Sequence, residues 1–249
     1  MQRNKDSMTA LEMTRKGNKI KESLPITRYT STMAKKEMTS GIYGILPADI
    51  ETGLLLEKAE AALKGGIKTL QLRDKKLGFK RRLKRAQQLR ELTQRYDAAL
   101  MINDSSQLAK ESGADGVHLG KDDVRDLLTM RDDLPDDLIV GITCRADVQF
   151  AKMALQHDAN YISFGAVFAS KTKVDVPEIG VARLAKACAM FPDAKICAIG
   201  GINLDNLVMV KMAGATYAAV ISSLFYGSPE AIQAQAENMV NVWNNAPSA

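Results

Sequence analysis

Histidine is scarce in this chain, with two among 249 residues. That scarcity argues against a metal centre built on several imidazoles and against acid–base chemistry shared by a histidine pair. His157 falls late in a helical segment between Gln156 and Asp158, a surface context, whereas His118 falls in a strand. The three cysteines, Cys144, Cys188 and Cys197, lack C-x-x-C spacing. They read as reduced core residues of a cytoplasmic protein. No apolar run reaches the ~18 residues that a membrane helix needs, which argues against a membrane partner.

A charge excess is also missing from most of the chain, although the net charge is +5. Residues 1–40 hold nine of the 34 Lys/Arg and four of the 29 Asp/Glu, so the remainder carries 25 of each and is neutral. The basic pI belongs to the first 40 residues, and a nucleic-acid partner is not expected. That segment has no helical or strand periodicity, no apolar core of a signal peptide, and several acids that a transit peptide would avoid. It reads as a disordered extension, and removing residues 1–38 should leave activity unchanged.

What remains is ordinary globular material, 46% hydrophobic and 25% charged overall. Short apolar runs alternate with amphipathic stretches from Gly41 onward. Strand patterns cover 41–47, 68–73, 98–103, 116–120, 138–143, 161–167, 195–200 and 217–222. Helical patterns follow at 50–65, 79–96, 106–112, 124–133, 146–158, 180–190, 204–213 and 229–244. In the second helix Phe79, Leu83, Ala86, Leu89 and Tyr96 form the apolar stripe. Lys80, Arg81, Arg82, Lys84 and Arg85 read as its solvated face. Gly65-Gly66, Gly113 and Gly214 mark helix ends, and Ser228-Pro229 opens the last helix. Eight parallel strand–helix units over 41–249 predict a single (β/α)8 barrel, with a doubly wound open sheet as the alternative.

In such a barrel the chemistry belongs where strands end. Two strands run into aspartates, at Asp104 and Asp123. Such carboxylates serve either as helix N-caps or as ligands for a divalent cation. The second strand ends Gln71-Leu72-Arg73-Asp74-Lys75, and its period of two sends Gln71, Arg73 and Lys75 toward the barrel mouth. An anionic ligand or an internal carboxylate such as Asp104 must meet Arg73 there. Ser170, Lys171, Thr172 and Lys173 follow strand six, as a phosphate-binding loop or an ordinary polar one. Gly200-Gly201 follows strand seven and Ser222-Ser223 strand eight, the recurrent phosphate position of this fold.

Six segments resemble the thiamine-phosphate synthase family, in order and spacing, from about residue 41 to the end. They are LQLRDK (70–75), MINDSSQLA (101–109), GADGVHLGKDD (113–123), YISFGAVFASKTK (161–173), AIGGI (198–202) and AVISSLF (219–225). The resemblance implies a transferase that alkylates the nitrogen of a thiazole phosphate with a pyrimidine-methyl diphosphate, releasing pyrophosphate. It implies a Mg2+ cofactor on Asp104 and Asp123. Gln71, Arg73, Lys75, Asn103 and Lys173 would bind the pyrimidine diphosphate. Ser170, Thr172, Gly201, Ile221 and Ser222 would hold the thiazole phosphate, and Thr143 would lie beside the pyrimidine. Arg73, Lys75, Lys173 and Thr143 are then the catalytic candidates.

The family chemistry is dissociative: the diphosphate leaves early, so the site must stabilise an anion and needs no strong base. Its partners would be small molecules; a homo-oligomer is left open. Three departures stand out. Thr143-Cys144-Arg145 occupies a stretch where the family usually has serine and, two positions on, histidine. Ala166 and Ala169 stand at common proline positions, and Lys121 at a usual glutamine. A thiazole tautomerase on the same fold is the nearest rival, and Arg145 at the histidine position speaks against it. A non-catalytic phosphate-binding barrel is the other rival, for which the cationic and acidic set would be superfluous.

Overall fold

Alternating side chains decide this architecture, because each strand must bury both of its faces. The computed structural model describes residues 38–47, 49–121, 130–132, 134–169 and 177–249. Eight strands close into a parallel barrel in sequence order, the last pairing with the first. They are β1 (Gly41–Ile45), β2 (Thr69–Leu72), β3 (Ala99–Asn103), β4 (Gly116–Leu119), β5 (Ile139–Arg145), β6 (Tyr161–Phe164), β7 (Ile196–Ile199) and β8 (Tyr217–Val220). The open-sheet alternative is set aside by this closure.

The helices among the described residues are α1 (Thr52–Lys64), α2 (Phe79–Arg95), α3 (Ser106–Ser112), α4 (Val148–Gln156), α5 (Gly180–Met190), α6 (Leu207–Met212), α7 (Ser222–Phe225) and α8 (Pro229–Asn245). None is long and apolar enough to cross a membrane. The helix expected over 124–133 falls mostly outside the described residues, as do residues 1–37 of the expected extension. The short α7 after β8 was not anticipated, since four residues carry no periodicity to read.

Outward-facing residues such as Leu70, Leu72, Leu100, Ile102, Val140 and Ile142 pack under the helices in one large core. Inward-facing Tyr43, Ile45, Met101, Ile139, Tyr161, Cys197 and Tyr217 fill the barrel itself. Large residues sit beside small ones in register: Tyr161 pairs with Gly141 and Met101 with Gly116. A Cβ at Gly141 would overlap the Tyr161 ring, so the missing side chain is what admits the tyrosine. Between helices the same device recurs, for a Cβ at Gly65 would overlap Ala236 on α8. Gly65 therefore serves close packing with φ −75°, and Gly66 takes the positive φ.

The barrel begins earlier than its sequence pattern. Met38 is buried among the inward-facing residues, and its carbonyl accepts from the Tyr217 hydroxyl at 3.2 Å. Ser40 Oγ donates to the Thr216 carbonyl at 2.8 Å. Removing residues 1–38, expected to be harmless, would thus take away part of the barrel floor.

Arg85 corrects a second expectation. It is not on the solvated face of α2 but buried, with its guanidinium on Asp74 at 2.8 Å. It lies in helical phase with Leu89 and Leu92, which are buried too, and that phase outweighs its charge.

Candidate active site

The mouth of the barrel is built from strand ends, and the end of β2 leads into two of its cations. Gln71 points into the barrel, fully buried, and its amide donates to the Tyr43 hydroxyl at 3.0 Å. Arg73 is partly buried and has no ion-pair partner among the described residues. Lys75 is exposed and reaches across to Asp104, Nζ to Oδ2 2.9 Å. Of the two alternatives for Arg73, an anionic ligand or an internal pair with Asp104, the pair with Asp104 is made by Lys75.

Asp104 is not a helix cap. Ser105 takes that role for α3, its side chain accepting from the Leu108 N–H at 3.2 Å. Asp104 instead sits at φ +61°, a left-handed conformation that frees its side chain from the β3 direction. Its N–H donates to the His118 carbonyl at 2.9 Å, tying the end of β3 to β4. Asn103, next to it, is half-buried at the same strand end.

Behind these charges runs a polar chain inside the barrel. The Tyr43 and Tyr161 hydroxyls are 3.1 Å apart. Tyr161 Oη is also 2.8 Å from His118 Nδ1, while His118 Nε2 is 2.8 Å from Thr143 Oγ1. Ser163 Oγ donates to Thr143 Oγ1 at 3.5 Å. The His118 ring stacks on Tyr161 with centroids 5.5 Å apart. Burial pushes the Tyr43 and Tyr161 hydroxyls well above the usual phenol range, so both stay protonated donors. A buried network with its members satisfied is rigid, and this one fixes Thr143 from behind. Sequence reading singled out His118 and Thr143 but not the tyrosines or Ser163. Their inward register beside Gln71 was the available signal.

Thr143 leads into an irregularity. Thr143 pairs with Ser163 but Arg145 with Phe164, so Cys144 is the extra residue and turns into the outer core. Burial pushes the Cys144 thiol up to about 12. Arg145 takes φ +56° and is exposed. Lys121, at the end of β4, bridges to Asp147 on the β5 loop at 2.7 Å and covers the Phe150 ring. That hydrogen bond from Lys121, with the Phe150 N–H, holds the Asp147 carboxyl below its ordinary range.

Opposite lie the loops after β7 and β8. Gly200 and Gly201 take φ +104° and +64° in succession, a turn that side-chain-bearing residues rarely make. A Cβ on Gly201 would also overlap the Ala169 carbonyl. Asn206 Nδ2 donates to the Gly201 carbonyl at 3.0 Å, and Ser223 Oγ donates to the Ile202 carbonyl at 2.7 Å. Ile221 immediately precedes α7, leaving Ser222 exposed at its first position. Asp123, Ser170, Thr172 and Lys173 lie outside the described residues.

The sequence relatives of this chain carry one family name. The sequence model of the thiamine monophosphate synthase family matches residues 42–224. The thiamine-phosphate synthase of Alcanivorax borkumensis is 41% identical over 201 residues, covering 80% of this chain and 92% of that protein. That of Methylobacillus flagellatus is 39% identical over 204 residues, covering 82% and 95%. Among solved structures, thiamine phosphate pyrophosphorylase from Pyrococcus furiosus superposes with a TM-score of 0.73 at 28% identity, covering 83% of this chain and 96% of that one. A match over nearly the whole barrel, with relatives at this identity along most of their own length, makes the chain a member of the thiamine monophosphate synthase family.

Proposed function

We propose that this chain is a cytoplasmic transferase that joins a hydroxymethylpyrimidine diphosphate to a thiazole phosphate, giving thiamine phosphate and pyrophosphate. The bond between the pyrimidine-methyl carbon and the diphosphate oxygen breaks, and its electron pair leaves with pyrophosphate. The thiazole nitrogen then supplies the pair for the new bond to that carbon. The observation that carries the reading is the pair of cations just after β2, half-buried Arg73 and Lys75, the second of which meets Asp104 on the neighbouring loop.

In this reading Arg73, Lys75 and Lys173 bind the diphosphate and stabilise the charge that develops as it departs. Gln71 and Asn103 orient the same substrate, and Thr143, held by His118, lies beside the pyrimidine. Gly201, Ile221 and Ser222, with Ser170 and Thr172, hold the thiazole phosphate. Holding both substrates in one mouth contributes proximity, worth on the order of 7–11 kcal/mol at its limit.

The donor set suits magnesium, which takes one or two carboxylates and completes its shell with phosphate oxygens and water. Asp104, with Asp123, would hold that ion. When bound, Mg2+ neutralises charge on the leaving diphosphate. The tautomerase rival needs a histidine-dependent proton shuttle. Arg145 stands at the family's histidine position, and His118 has partners at both ring nitrogens.

Incubation with both phosphorylated substrates and Mg2+, followed by detection of pyrophosphate, tests the proposal. Pyrophosphate release that requires all three supports it; no release with fresh substrates overturns it.

A further inference from the structure

We propose that Arg85 is a positioning residue for the diphosphate: acting through Asp74, it holds the β2–α2 loop in the shape that presents Arg73 and Lys75. This rests on the transferase reading above and adds a role for a residue that touches no substrate.

Six hydrogen bonds define the device. Arg85 Nη1 donates to Asp74 Oδ2 at 2.8 Å, and both side chains are buried, at 5% and 1% exposure. Asp74 Oδ1 accepts from the Lys76 and Leu77 N–H groups at 3.0 and 3.1 Å, which curls the loop around the carboxylate. On its other side Arg85 donates to Thr52 Oγ1, from Nε at 3.1 Å and from Nη2 at 3.0 Å. Nη2 also donates to the Ile50 carbonyl at 3.0 Å. One guanidinium therefore fastens the β1–α1 connection to the β2–α2 loop, beneath the mouth.

Asp74 lies between Arg73 and Lys75 in the chain. Its side chain turns outward, to the Leu70 and Leu72 side, and is buried against Arg85 of α2, while Arg73 is half-buried and Lys75 exposed, so anchoring Asp74 sets the direction of both flanking cations. Stability alone is a weak reason for the pair, because a buried ion pair usually gains little over apolar residues of similar volume. Geometric specification is the better account. Arginine is required because three acceptors on two loops must be met by one planar fork, which a lysine ammonium cannot do.

The test uses Arg85→Lys, Asp74→Asn and Thr52→Val in the full-length protein, with circular dichroism and thermal melts to establish folding. Calorimetry then measures inorganic pyrophosphate binding in the presence of Mg2+, and steady-state kinetics gives separate KM values for the two substrates. Arg85→Lys and Asp74→Asn are expected to weaken pyrophosphate binding and kcat/KM for the pyrimidine diphosphate by on the order of 100-fold. The KM for thiazole phosphate should stay within about threefold, since its loops after β7 and β8 are untouched. The Arg85→Lys/Asp74→Asn double variant should be no worse than the more damaged single one, because the pair acts as a unit. Thr52→Val, which keeps the ion pair and loses one acceptor, should shift the same constants in the same direction by less.

Folded variants that bind pyrophosphate like the unmodified protein, with only a lowered melting temperature, would overturn the positioning role. So would equal losses in both substrates' KM. If Arg85→Lys and Asp74→Asn fail to fold, Thr52→Val decides alone. Failure of the unmodified protein to bind pyrophosphate would instead strike at the transferase reading.

Discussion

Lys75 Nζ stands 2.9 Å from the Asp104 carboxylate, joining the loop after β2 to the loop after β3. Each partner is assigned a different ligand in the proposed reaction, so the pair neutralises two binding groups until substrate and metal arrive. Asp104→Ala should therefore abolish magnesium-dependent turnover, by about two orders of magnitude or more. The fold should lose no more than about 1 kcal/mol, because the pair is substantially exposed. Pyrophosphate release and a urea melt on the same preparation check both statements. Near-full activity in the variant would refute the metal role.

Gly141 makes room for Tyr161, and Tyr161 orients His118. Gly141→Ala is predicted to destabilise the protein by about 1–3 kcal/mol through overpacking. Activity should fall further than stability explains, because a displaced Tyr161 loosens the hold on Thr143. Denaturant titration together with kcat measured well below the melting temperature separates the two effects.

The boundary of the barrel gives a third prediction. A protein lacking residues 1–36 should keep both turnover and melting temperature. Removal through Ser40 also deletes buried Met38 and the Ser40–Thr216 hydrogen bond. Losing the methionine alone should cost about 2 kcal/mol, read as a lower melting temperature.

Alkaline pH supplies a fourth. The Cys144 thiol, ordinarily 9.0, is pushed up to about 12 by burial. An unfolded chain ionises this thiol near pH 9 while the folded one keeps its proton, so above pH 9 the folded state binds more protons. Stability is thus fully present below pH 9 and declines as pH rises from 9 toward 12. Buried Tyr43 and Tyr161 act in the same direction from pH 10 upward. Urea midpoints between pH 8 and pH 11 should fall monotonically; a flat profile would contradict the burial of these groups.

Sequence periodicity went far here because the fold repeats one unit. Leu70 and Leu72 declared the outer face of β2, and with it the inward direction of Gln71. Glycines at helix ends and the Ser228 cap were equally local signals. What stayed hidden depended on contacts between distant segments. Arg85 was read by charge as solvent-facing, and only Asp74, Thr52 and Ile50 arriving from two loops make its burial tolerable. Asp104 was read as a cap or a ligand because nothing local said that Ser105 would cap α3. The chain from Gln71 through Tyr43, Tyr161 and His118 to Thr143 crosses five strands, a closure that no single segment carries.

The central claim is that one mouth binds two phosphorylated substrates and joins them. Proton NMR of the thiazole phosphate with protein and Mg2+, recorded before and after adding the pyrimidine diphosphate, tests it most directly. The account predicts no conversion of the thiazole phosphate before the addition, then conversion to thiamine phosphate with one pyrophosphate released per product. Isomerisation of the thiazole phosphate on its own, or no joined product after the addition, would contradict it.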